Sequence, residues 1–122
     1  MAAYCGYRHS EVVGNVLSLS GAFGFWPGSL DEKLDDEPGW LTRQYVKSPR
    51  VPVRFYLAAG RFENWFFPYS LLTENRRFRD VLQAKDYDVH YSEFSGSHEP
   101  ICWRGPFVDG LIELTSARKR AQ

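Results

Sequence analysis

Two side chains suited to proton transfer follow one another in this chain, a carboxylate at Glu63 and a histidine at His98, each just beyond an extended apolar run. A histidine takes a proton from a hydroxyl and returns it to a leaving group, while a carboxylate behind it fixes its tautomer and stabilises the imidazolium. In open α/β sheets such groups belong in the loops at the carboxyl ends of strands. Three loops of that kind are readable: one from Ser20 to Trp26, one from Gly60 to Phe66 that holds Glu63, and one from Ser95 to Glu99 that holds His98. The order, acid then histidine, is that of hydrolases whose chain order runs Ser, Asp/Glu, His. Taken singly, His98 reads as a loop histidine and Glu63 as a surface or helix-start carboxylate. Their shared placement favours the relay. Gly96 and Ser97 permit a tight turn that would project the imidazole into a cleft.

The rest of the chemistry is thinner. Ser18, Ser20, Ser95 and Ser97 offer hydroxyls, but no Gly-x-Ser-x-Gly elbow occurs, so none has the strand-to-helix turn that exposes a nucleophile. His9, His90, His98, Cys5 and Cys102 match no short ligand spacing, and no metal or other cofactor is expected.

These loops need a sheet. Asn15–Ser20 is a compact β-favouring run stopped by Gly21, and Val51–Ala59 is apolar on both faces, as a strand covered by helices on each side must be. Asp88–Phe94 alternates and reads closer to an edge. Between the last two, Leu71, Phe78 and Leu82 share one helical face from Ser70 to Lys85. Arg76, Arg77 and Arg79 lie largely off it, Ser70 serves as N-cap, and Glu74 complements the first turn. Pro106 is expected to open a last helix with Phe107, Leu111 and Leu114 in a stripe, Val108 and Ile112 beside it. A short helical remnant precedes the first strand. The pattern predicts one α/β unit over residues 1–122, about three parallel strands with flanking helices joined by right-handed crossovers. The long aromatic and Gly/Pro-rich connection at about 21–50 reads as a lid or pocket wall, its acidic stretch Asp31–Glu37 as a solvated face. Arg118, Lys119 and Arg120 make a solvated, cationic end.

Composition narrows the class. At 122 residues and 43% hydrophobic content there is material for one core. Fifteen basic residues balance fifteen acidic ones, so nucleic acid and anionic membrane surfaces are not expected partners. Two cysteines do not make a disulfide framework, and free buried thiols are expected. The first residues have neither a cationic nor an apolar leader region, and no stretch is long enough to cross a bilayer, so a cytoplasmic address is expected.

Three blocks, Gly14–Phe23, Asn75–Lys85 and Phe94–Leu114, resemble the enterochelin esterase family within the wider esterase-D-like group, and His98, Trp103 and Arg104 form its His-x-x-x-x-Trp-Arg pattern. The resemblance implies the C-terminal half of an α/β-hydrolase fold. It implies a serine esterase acting on a small-molecule ester, in the named member that of an iron-bound siderophore. His98 matches the family's catalytic histidine, and Glu63 sits where these esterases place the triad acid, with Glu93 and Glu99 as neighbouring competitors. Trp103 and Arg104 would support the histidine loop. Family members carry Gly-x-Ser-x-Gly-Gly just before the segment that aligns with Ala2–His9. The expectation is therefore a fragment without its nucleophile, inert alone, with an open sheet edge that self-associates or takes a complementary N-terminal half. The competing expectation is a non-catalytic module in which the aromatics of Phe23–Trp40 and Trp65–Phe67 grip a planar or glycosylated ligand. Aromatic content of 16% supports it, although core packing accounts for most of that content.

Overall fold

A computed structural model describes residues 1–26, 38–65 and 69–116. The acidic stretch 31–37, Phe66, Phe67 and the basic residues 118–120 lie outside the described residues. Helix α1 (Ala2–Arg8) leads into β1 (Asn15–Leu19), α2 (Trp40–Lys47), β2 (Arg54–Gly60), α3 (Leu71–Ala84), β3 (Val89–Phe94) and α4 (Pro100–Thr115). The strands form one parallel sheet in the order β1-β2-β3, with Val16 opposite Phe55 and Leu57 opposite Tyr91.

Alternation along β2 builds two cores. Phe55 and Leu57 point to one face, where Val16, Tyr45, Phe78, Leu82 and Tyr87 close around them. Tyr56 and Ala58 point to the other, against Leu17, Leu19 and Leu114. Every β2 residue from Phe55 to Gly60 is buried, which is why the run is apolar on both faces. β2 starts at Arg54 rather than Val51. Pro52 has no amide hydrogen to give the ladder, and Val53 N–H turns back onto Val51 O, so pairing begins where Arg54 N–H reaches Gly14 O.

Helix α3 follows its sequence signals. Ser70 Oγ accepts from Thr73 N–H at 3.2 Å, and Leu71, Phe78 and Leu82 are buried. Glu74 is itself buried, with its Oε1 3.3 Å from Arg77, so desolvation pushes its carboxyl above the usual range despite the arginine. Arg76 leaves the helix to hold Glu93 with two bonds of 2.6 and 2.8 Å, and Arg79 covers the Tyr91 ring at 4.5 Å. The Arg76 guanidinium holds the Glu93 carboxyl down at about 2. A carboxyl lowered in the folded state contributes stability above its ordinary value near 4.5, and that contribution fades as pH falls towards 2. Urea midpoints taken between those values should therefore decline less steeply in Glu93→Gln than in the parent chain.

Three expectations change. The connection from 21 to 50 contains α2, whose Tyr45 is buried in the core and donates its hydroxyl to Ala3 O at 2.7 Å. The last helix opens at Pro100, after Glu99 in the N-cap position, and Pro106 lies inside it. Either proline suits a first turn, but Pro100 comes first and the helix runs on from it, although an interior proline costs about 3 kcal/mol. The expected stripe is also displaced. Leu114 packs as anticipated, but its companion is Gly110, which lies so close to Leu17 and Tyr56 that an added Cβ would stand 2.7 Å from each. Ile101, Phe107, Val108, Leu111 and Ile112 remain 42–69% exposed.

Candidate active site

The loops after β2 and β3 are stitched together by main-chain bonds. Arg61 N–H donates to Phe94 O at 2.9 Å and Phe62 N–H to Gly96 O at 3.1 Å. Glu63 N–H closes the turn onto Gly60 O at 3.1 Å, and Glu63 O accepts from Leu72 N–H at the start of α3, 2.9 Å away. The Glu63 side chain is thereby turned inward, 1% exposed. Beyond the second loop, the side chain of His98 is 43% exposed and brings Nδ1 to 3.0 Å from Glu63 Oε2. An ionised carboxylate only accepts, so with Glu63 in that form a neutral His98 ring carries its proton on Nδ1 and keeps the lone pair on Nε2, the outer nitrogen.

The other carboxylate oxygen is also occupied. Gly60 N–H donates to Oε1 at 2.9 Å, and Ser20 Oγ, from the loop after β1, donates a short bond to the same atom. Trp103, on the first turns of α4, gives its Nε1–H to Ser20 Oγ at 3.0 Å and turns its ring edge-on to His98, centroids 5.1 Å apart. Asn75 of α3 fastens the Ser20 loop from below, donating to Gly21 O at 2.9 Å. All three expected loops thus converge, with Glu63 at the centre.

The remaining candidates are elsewhere. Glu93 is committed to Arg76 and accepts from Tyr91 O–H at 2.5 Å; Glu99 is exposed at the start of α4. His9 pairs with Glu11 near α1, and His90 stacks on Tyr56 in the sheet. Among the described residues no three His, Cys, Asp or Glu side chains are grouped to hold a metal ion, and no helix is long and apolar enough to cross a membrane. Cys5 and Cys102 are free and half-buried rather than fully buried. Gly96 serves by close approach: its φ is not in the left-handed range, but an added Cβ would lie 2.9 Å from Cys102 Sγ. What the sequence did not reveal is the role of Ser20. Its one signal was its place between a strand and Gly21.

Gly60 is where the two loops touch most closely. A Cβ there would lie 2.4 Å from Gly96 O and 2.7 Å from Glu63 Oε1, and the first of these is backbone that cannot swing aside. Gly60→Ala should therefore drive the loops apart at a cost of about 1–3 kcal/mol, read as a lowered urea midpoint. The His98 imidazole should lose its fixed tautomer by nitrogen-15 NMR in the same variant.

No family model matches the chain. Among curated proteins it is 29% identical to the iron(III) enterobactin esterase of Dickeya dadantii over 117 residues, 90% of this chain and 26% of that protein. It is 29% identical to that of Escherichia coli K12 over 120 residues, 93% of this chain and 26% of the relative. Among solved structures it matches the enterobactin esterase of Shigella flexneri with a TM-score of 0.71 at 29% identity, over 93% of this chain and 28% of that one. The chain thus spans about a quarter of the length of the relatives it matches. Three parallel strands flanked by four helices are the portion of the α/β-hydrolase fold that this alignment covers. In sequence and in fold, the chain is similar to one part of an iron(III) enterobactin esterase.

Proposed function

We propose that this chain supplies the acid and the general base of a serine-esterase proton relay, and that the nucleophilic serine comes from polypeptide outside these 122 residues. The supporting observation is the 3.0 Å contact between His98 Nδ1 and a carboxylate that is itself almost wholly buried. In this reading His98 Nε2 removes the proton of an incoming serine hydroxyl as that oxygen attacks the ester carbonyl. It then returns the proton to the departing alcohol, and Glu63 stabilises the imidazolium between the two steps. Hydrolysis of the acyl-serine repeats the exchange with water.

The substrate we assign is an ester whose acyl part carries an aromatic ring. Phe25, Phe62 and Trp65 stand 59–62% exposed on the loops that follow β1 and β2. A largely apolar cavity of about 400 Å³ lies beside the first of those loops, lined in part by Tyr4, Phe23, Phe25 and Leu41. The Shigella flexneri esterase was crystallised in the presence of 2,3-dihydroxy-N-benzoyl-glycine and of the corresponding serine compound, ligands with such a ring. Phe23, Phe25 and Leu41, from the described part of the 21–50 connection, wall that cavity, and the open side of β1 would be the place where the complementary polypeptide pairs.

A complementation assay tests the reading. The purified chain should hydrolyse a nitrophenyl benzoate no faster than buffer. Mixed with the Gly-x-Ser-x-Gly-Gly-containing portion of a related esterase, it should yield serine-dependent turnover. Turnover by the chain alone would remove the proposal of an external nucleophile.

A further inference from the structure

Ser20 is an unusual residue for its position. Its φ is +52°, in the left-handed region that glycine enters freely and other residues enter at a cost. The other non-glycine residue of this kind among those described, Asp86, follows the last residues of α3, where a left-handed step commonly ends a helix. Ser20 ends no helix. It follows β1 directly, still bonded to the sheet through Ser20 N–H to Ala58 O at 2.8 Å, and it is 4% exposed. A strained conformation kept where glycine would relieve it points to the side chain as the reason.

The directions of the hydrogen bonds show what the side chain does. An indole Nε1–H can only donate, so at 3.0 Å Ser20 Oγ must accept from Trp103. A carboxylate can only accept, so the one hydroxyl proton of Ser20 must go to Glu63 Oε1. With Gly60 N–H on the same oxygen, Oε1 is filled by two donors and Oε2 is left facing the imidazole. We infer that Ser20, its hydroxyl oriented by Trp103, is the positioning residue that holds Glu63 so that His98 keeps a single, Nδ1-protonated tautomer. The inference rests on the relay reading above and adds two members to it, Trp103 and Ser20, as a donor chain that runs from Trp103 through Ser20 to Glu63.

The test is nitrogen-15 NMR of the imidazoles in the full 122-residue chain and in Ser20→Gly, Trp103→Phe and the double variant. Amide spectra report that each is folded. The parent chain should show His98 overwhelmingly as the Nδ1–H form. Ser20→Gly removes the hydroxyl and the backbone strain together, so its melting temperature should stay level or rise. The ratio of Nδ1–H to Nε2–H forms at His98 should fall about tenfold, the effect of losing one hydrogen bond to a charged group. A hydroxyl with a merely structural role would give the reverse pattern, a lower melting temperature and an unchanged ratio, and that result overturns the inference. Trp103→Phe keeps a ring against His98 but not the N–H, and should lower the ratio by less. The double variant should match Ser20→Gly, because Trp103 acts through Ser20; additive losses would refute the chain. If the parent chain itself lacks a fixed tautomer, the relay reading falls first, a failure distinct from an unchanged ratio in Ser20→Gly.

Discussion

Substituting His98 by alanine in the complemented esterase should lower ester hydrolysis by about 10⁴-fold or more, since on the proposed reading its Nε2 is the base that takes the serine proton. Glu63→Gln should cost nearly as much for a reason specific to this site. Oε1 receives both Ser20 Oγ–H and Gly60 N–H, so the glutamine must place its carbonyl oxygen there and turn its NH₂ towards His98. That forces Nδ1 to accept and puts the proton on Nε2, the nitrogen that must be free to act as base. Initial rates on a nitrophenyl ester across pH, with complex formation checked by gel filtration, read both variants. An activity loss below about tenfold in Glu63→Gln would show that the carboxylate does not set the tautomer.

The largest effect on stability is expected at Phe78. This ring is fully buried, stacks on Phe23 with centroids 4.2 Å apart, and meets Tyr45 and Phe55 edge-on at 5.1 and 5.9 Å. Truncation to alanine should cost about 3–5 kcal/mol, against a total of about 5–15 kcal/mol for an ordinary domain. Phe23 lies three residues beyond Ser20, so the loss reaches the loop that carries the hydroxyl onto Glu63. Urea unfolding followed by near-ultraviolet dichroism should show a much lower midpoint. A shift under about 1 kcal/mol would mean that the ring cluster relaxes to fill the space.

The sheet was legible because its signals are local and agree with one another. Phe55–Ala59 is apolar on both faces for a strand covered on both sides, and α3 carries a serine cap and a spaced apolar face. The pairing of Glu63 with His98 was legible from chain order and loop position, which is all that a parallel sheet requires to bring successive loops to one edge. Helix α2 was not, because Trp40–Lys47 buries only Thr42 and Tyr45 and lies in a stretch whose glycines, prolines and rings read as loop. The face of α4 was misread because the closest contact is made by Gly110, a residue with no side chain to register in an apolar count. Ser20 was beyond reach for another reason: its role depends on one backbone angle and on partners 43 and 83 residues away.

The bonds joining the loop after β2 to the loop after β3 come from the amides of Arg61 and Phe62, whose side chains are both exposed. Amide bonds are indifferent to side-chain identity, proline apart. These two residues can therefore be exchanged for others of different size or charge without disturbing the Glu63–His98 pair behind them. A saturation library there should be rich in folded members that keep the Glu63–His98 contact, so the face these loops present could be altered while the pair behind it stays intact.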